Sequence, residues 1–272
     1  MDEQIVAIYC LCDDILKALD HYEDPQRQMS DAEVMTTAVV AALHFHGHWE
    51  RARNWLGTSG YIPAMLGKSR FNRRLHAIRE LFLTVFQVLG EFFKQLNTQS
   101  VYVIDSFPIA ACDNIRIPRA RLYQNEAYRG YIASKRRYFY GLRIHLLVTA
   151  EGDPVEVFLA PGADADVRAL SRFPFDLPTG STVYADSAFT HYAVEDLMKE
   201  AGIALQPIRK KNSKRPVPPY VAYLQARGRK IVETTGSLIE RLLPKSIHAV
   251  TAPGFELKVM LFVLAVSVSY AI

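Results

Sequence analysis

The spacing of apolar residues along the chain changes character once, near residue 97. Before it, apolar positions recur with the period of amphipathic helices. The stretch "MSDAEVMTTAVVAALHFHGHW" opens on Ser30 with Glu33 three residues on, the pairing of a capping box, and predicts a helix behind it. "RARNWLGTSG" predicts a short helix that stops in turn residues. "KSRFNRRLHAIRELFLTVFQVLGEFFKQL" predicts one long helix with a basic head, Ser69 as its cap, and a core-facing stripe of Leu81, Val85, Val88, Leu89 and Phe92. Residues 1–96 therefore form an all-helical region.

After residue 97 the pattern turns to strands. In "SVYVIDSFP" apolar residues fill both parities before Asp105, which predicts a strand buried on both faces. Pro108 lacks a backbone donor and is expected to end it. "YFYGLRIHLLVTA" and "VEVFLAP" are the second and third strands, and the turn "EGDP" between them makes an antiparallel hairpin. "DADVRALSRF" predicts a helix capped by Asp164 or Asp166, and "STVYADSAF" a fourth strand. A helix stopped by Gly202 follows, then a fifth strand in "IALQPI" and a long helix through "RGRKIVETTGSLIERLL". The order βββαβαβα predicts an α/β domain over 97–272, a mixed sheet with helices on both faces. A right-handed crossover sets strand four beside strand one.

Half of the residues are hydrophobic, enough for a substantial core. Three cysteines with no paired spacing fit a reducing compartment. The N-terminus "MDEQIVAIYCLCDD" has no basic head of a signal peptide, and the apolar run 259–272 is shorter than a confident membrane span. The expectation is a cytoplasmic protein with no membrane partner and a buried C-terminal helix. His44, His46 and His48 alternate within a helical pattern, which spreads them around the helix instead of gathering them on a metal.

The chemistry sits at the strand ends. Asp105 ends strand one and Asp186 ends strand four, so the predicted sheet brings two carboxylates to one edge. Close carboxylates repel unless a cation lies between them, and Mg²⁺ or Mn²⁺ suits such a site. A pair of ions would serve phosphoryl transfer by stabilising the attacking and leaving oxygens. The final helix offers the third carboxylate: Glu233, or Glu240 about 10 Å along the same helix side. Both are expected to point away from a stripe of Ile231, Leu238 and Leu242, with Gly236 leaving room for a substrate backbone.

Net charge is only +4, but the cations are clustered. No acid interrupts 205–230, which holds Arg209, Lys210, Lys211, Lys214, Arg215, Arg227, Arg229 and Lys230. A second cluster includes Arg136 and Arg137 and is interleaved with tyrosines, among them Tyr131 and Tyr138. The basic helix head adds Lys68, Arg70, Arg73 and Arg74. Such clusters neutralise phosphates, and aromatics among them can stack on unpaired bases. Double-stranded DNA is the partner they predict.

Taken together, "VIDSFP", "YADSAF" and "RKIVETTGSLIERLLPKSIHAVTAPGFELKV" resemble the DDE transposases of bacterial insertion sequences. The resemblance is to insertion-sequence family 982, within the larger insertion-sequence 4-like group. It implies a ribonuclease H-like catalytic domain at 97–272, with Asp105, Asp186 and Glu233 as catalytic, metal-holding triad. It further implies DNA cleavage and strand transfer at the element's terminal inverted repeats and into target DNA. The 1–96 region would recognise the ends, and the enzyme would work as a homodimer or higher oligomer, nucleoid-associated when bound. In the larger group Tyr, Arg and Lys surround the glutamate; here Arg229 fits, while Ala226 and Glu240 occupy the tyrosine and lysine positions. A structure-specific nuclease of the same fold, or a non-catalytic DNA-binding remnant, are the alternatives that share these residues.

Overall fold

The computed structural model of the protein describes residues 1–132 and 135–272. The N-terminal half-pattern folds as α1 (Asp2–Ala18), α2 (Asp31–Phe45), α3 (Trp49–Thr58), α4 (Lys68–Ala77) and α5 (Arg79–Leu96). The capping box at α2 is formed: the Ser30 hydroxyl accepts from the Glu33 N–H at 3.1 Å, and the Glu33 carboxylate accepts from the Ser30 N–H at 2.7 Å. The expected single helix over 68–96 is instead two, broken at Ile78. The N-cap of α4 is Gly67, not Ser69, and no side chain caps it.

Among the described residues six strands follow: β1 (Val101–Ala110), β2 (Arg129–Ile132), β3 (Arg137–Thr149), β4 (Pro154–Pro161), β5 (Thr182–Ala185) and β6 (Ala204–Pro207). Between and after them lie α6 (Asp166–Ala169), α7 (Tyr192–Glu200), α8 (Pro219–Leu242) and α9 (Ala252–Ala271). The sheet is mixed, in the order β2-β3-β1-β5-β6, with β4 also paired to β3. The predicted hairpin is β3–β4, antiparallel, and the predicted neighbour of strand one is β5, parallel. β2 was not foreseen; "RGYI" is too short and mixed in polarity to stand out.

Pro108 does not end β1, which runs on to Ala110. The reason lies in the alternation of backbone donors. Ala111 N–H bonds the Tyr140 carbonyl, so odd-numbered residues of β1 face β3 and Pro108 faces the other way. On that side β5 pairs only as far as Ile104, so the missing donor falls on an open edge.

The chain forms two compact units. One comprises Met1–Leu89, Leu238–Ala249 and Pro253–Ile272; the other comprises Gly90–Ser237 and Val250–Ala252. The division expected at residue 97 thus differs from the observed one at the C-terminal end, where most of α9 belongs with the helical unit. In that unit Phe71, Leu75, Phe255 and Phe262 are fully buried. Gly47, at φ 73°, lies where a Cβ would meet the Phe262 ring at 2.8 Å, so a glycine is needed on both counts. α9 is long and apolar enough to cross a membrane, yet 67% of its apolar window is buried inside the protein.

In the second unit helices cover both faces of the sheet. α8 lies over the face of Val103 and Phe107: a Cβ on Gly228 would be 3.0 Å from Val103, and one on Gly236 would be 3.4 Å from Phe107. The end of α5 covers the other face, where Lys94 pairs with Glu156 of β4 at 3.4 Å. α8 is pinned at two points, by Gln225 donating to the Gln206 carbonyl at 3.1 Å and by Thr235 donating to the Gly152 carbonyl at 2.8 Å.

Candidate active site

Parallel pairing of Val103 with Tyr184 and of Ile104 with Ala185 makes Asp105 and Asp186 the next residues in line. Asp186 follows the end of β5, whereas Asp105 does not end its strand as expected, because β1 continues to Ala110 along β3. Side chains alternate along a strand, so both aspartates share the face of Val103 and Tyr184, beneath α8. They line one small open cleft with Val103, Ile104, Ala185, Gln225, Arg229 and Val232. Each carboxylate also accepts a hydrogen bond from the next residue's N–H, Asp105 from Ser106 at 2.7 Å and Asp186 from Ser187 at 2.6 Å. Asp186 thereby caps the short turn Ser187–Phe189, so its local capping role and its place at the cleft coexist.

Burial pushes the Asp105 carboxyl up to about 6, and the Asp186 charge and, less, Asp166 push the same way. The Ser106 N–H and Arg229 oppose the shift without cancelling it. The first cause is removal from water, so keeping Asp105 charged beside Asp186 is costly unless a cation joins them. Two carboxylates side by side on one sheet face, where the β1–β5 pairing stops, fit a hard divalent cation.

Glu233 enters through Arg229. The Arg229 Nε donates to Glu233 Oε1 at 2.7 Å across one turn of α8, and its terminal nitrogen stands 3.8 Å from Asp186 Oδ1. Arg229 and Glu233 are half-exposed, at 49% and 48%. The buried residues of α8 are Gln225, Gly228, Val232, Thr235, Gly236 and Ile239. Ile231, expected in that stripe, is only partly buried, and the space beside Gly236 is taken by Phe107 instead of standing open. Glu240 is exposed and falls outside the unit that holds the aspartates.

The predicted DNA-contacting cations divide by what already holds them. Lys210, Lys211, Lys214, Lys230, Arg70, Arg73, Arg136 and Arg137 are exposed. Arg215 makes a two-pronged pair with Asp196, both contacts at 2.8 Å, and stacks over Tyr192 at 4.7 Å. Its neighbour Arg209 grips buried Glu195 at 2.8 and 2.6 Å. Arg74 is turned inward, bonding buried Asp31 at 2.5 and 3.0 Å. Asp31 also receives Arg27 and His21, each at 2.9 Å. His21, Glu23 and Asp31 bring potential metal ligands within 4.8 Å of one another, but two guanidinium groups already neutralise them. On the β2–β3 ribbon the exposed rings of Tyr131 and Tyr138 meet at 5.0 Å, with Arg129 over Tyr138 at 4.3 Å.

Two features escaped sequence reading. Gln225 lines the cleft from α8, one turn before Arg229, and as a glutamine it carries no motif signal. On the opposite face of β1, Ser106 donates to Asp166 Oδ1 at 2.6 Å. Arg143 and the fully buried His145 approach the same oxygen, at 3.9 and 4.0 Å. Alternation along the strand places Ser106 there, but nothing in its sequence marks the partner.

Comparison with known proteins bears on this site. A family model described as "Transposase DDE domain" matches residues 95–245. The cryo-EM structure of the piggyBac transposase synaptic complex with hairpin DNA is similar at a TM-score of 0.47 and 12% identity, over 98% of this chain and 72% of that one. No curated protein matches. The family match takes in β1, β5 and all of α8, more than half of the chain. This protein belongs to the DDE-domain transposases, enzymes that cleave DNA and transfer its strands using divalent metal ions.

Proposed function

We propose that this transposase belongs to the insertion-sequence 982 type and mobilises its element with Asp105, Asp186 and Glu233 as catalytic triad. The observation that carries this is the register of β1 with β5, which sets the two aspartates side by side beneath the helix bearing Glu233. Mg²⁺ or Mn²⁺, two ions in number, would be held by these carboxylates and would supply an activated water and charge stabilisation at the phosphate. The chain's own groups do the rest. Asp105 and Asp186 would hold the cation from the sheet, and the N–H bonds from Ser106 and Ser187 orient their carboxylates. Gln225 and Thr235 pin α8, so Arg229 meets the cleft in a defined register, with Glu233 bonded to it from one turn on.

The partners in this reading are the terminal inverted repeats and target DNA, with the enzyme acting as a homodimer or higher oligomer in the cytoplasm. Arg70 and Arg73 on the exposed head of α4 suit end recognition by the helical region. Lys210, Lys211, Lys214 and Lys230, all exposed, suit phosphate contact. Arg136, Arg137 and the tyrosine pair of the β2–β3 ribbon suit distorted or unpaired DNA.

The experiment is a metal-dependent cleavage and joining assay on a plasmid carrying the native element ends. Nicking at the ends with joined products supports the proposal. Nicking without joining means a nuclease, and binding without either means a non-catalytic remnant.

A further inference from the structure

The guanidinium of Arg229 occupies the carboxylates that the triad offers to metal. Its Nε bonds Glu233 at 2.7 Å, and its other arm stands 3.8 Å from Asp186. It also lines the cleft with Asp105. A carboxylate oxygen that accepts from a guanidinium cannot at the same time serve a divalent cation at short range, and the two positive charges repel. Arg229 is half-exposed and sits on one edge of α8, so its side chain is free to leave the cleft without disturbing the helix.

We infer that Arg229 is a built-in competitor for the metal site, displaced when a DNA phosphate takes its guanidinium. This rests on the reading that Asp105, Asp186 and Glu233 hold the metal. Phosphate matches the planar fork of arginine, so the exchange replaces one bond to Glu233 and a 3.8 Å approach to Asp186 with a single two-pronged partner. Once Arg229 is on phosphate, Asp186 and Glu233 are released together. Metal binding and DNA binding then favour one another, and by linkage the coupling is the same measured from either side. In the absence of DNA the site is held closed by its own counter-ion, which restrains metal-dependent hydrolysis away from substrate.

The test uses the full chain and two probes. Mn²⁺ binding to the DNA-free protein is followed by loss of the free-ion electron paramagnetic resonance signal. Binding of a short labelled duplex is followed by fluorescence anisotropy with and without Ca²⁺ as a non-cleaving ion. Arg229→Gln is expected to bind Mn²⁺ about fivefold or more tightly than the parent. The gain in DNA affinity that the ion confers on the parent should shrink in the variant. Arg229→Lys, which keeps the charge and loses the fork, should fall between them. Asp105→Asn checks the site itself: if it leaves Mn²⁺ binding unchanged, the metal site and the coupling fall together. If Mn²⁺ binding depends on Asp105 but Arg229→Gln binds no more tightly than the parent, the coupling alone is wrong.

Discussion

Ile104 of β1 stands in register with Ala185 of β5, and an aspartate follows each of them. Parallel pairing puts side chains of matched residues on one face, so this single register brings Asp105 and Asp186 together at one cleft. The active-site proposal depends on that relationship more than on any other.

Asp105→Asn and Asp186→Asn should each abolish Mg²⁺- or Mn²⁺-dependent cleavage while end binding stays near the parent level. An amide keeps the shape and the bond from the following N–H but loses the charge that holds a cation. Parallel cleavage and gel-shift assays check this. Wild-type cutting by either variant would remove that residue from the metal site.

Glu233→Gln should be inactive in cleavage and Glu240→Gln active. Glu233 is tied through Arg229 to the cleft, whereas Glu240 lies two turns on, exposed, beyond the unit that carries the aspartates. The reverse pattern of activity would move the third carboxylate to Glu240.

Neutralising Lys210, Lys211 and Lys214 together should weaken binding to all DNA sequences about equally and flatten its salt dependence, since phosphate contacts carry no base information. Arg74→Ala should behave differently. It strips one partner from buried Asp31 and should cost about 2 kcal/mol of stability, below the roughly 3–5 kcal/mol of an ion pair broken outright, because Arg27 and His21 remain. Salt-dependent anisotropy and urea unfolding separate the two effects. A DNA-binding defect in Arg74→Ala without loss of stability would restore it to the interface.

His145 predicts a component of acid sensitivity. Burial, then Arg143 and Arg172, hold its imidazole down at about 3. Phe158 stacks on it at 4.7 Å, Phe189 presents an edge, and Asp166 stands 4.0 Å away as the one acid nearby. The folded pKa lies below the unfolded value, so the neutral ring contributes its full stability above about 6.5. That contribution falls as the unfolded chain takes up a proton, by about 2 kcal/mol at roughly pH 5. Urea unfolding of the parent and of His145→Phe at neutral and mildly acid pH measures it. An unchanged pH slope in the variant would contradict the assignment.

The local elements were legible because their signals are local. The capping box at Ser30 and Glu33, the start of a buried strand at Val101, the β3–β4 hairpin and the stop at Gly202 depend on neighbours a few residues away. The pairing of strand one with strand four was legible too, because crossover handedness leaves few topologies. What the sequence by itself determined was therefore the order of elements apart from β2 and the break at Ile78, the positions of the acids and the clustering of cations. Only the tertiary structure decided which charges are free. Arg74 and Arg70 look alike in "KSRFNRRL", yet one is bonded to buried Asp31 and the other is exposed, because helix rotation turns one inward. It likewise decided that Pro108 continues its strand, since the missing donor matters only if a neighbour lies on that side. Arg229 could be matched to a motif, but its grip on Glu233 and approach to Asp186 required α8 to be set over the sheet by glycines at 228 and 236. Charge pairing and helix seating depend on residues far apart in the chain, and no periodicity along it encodes them.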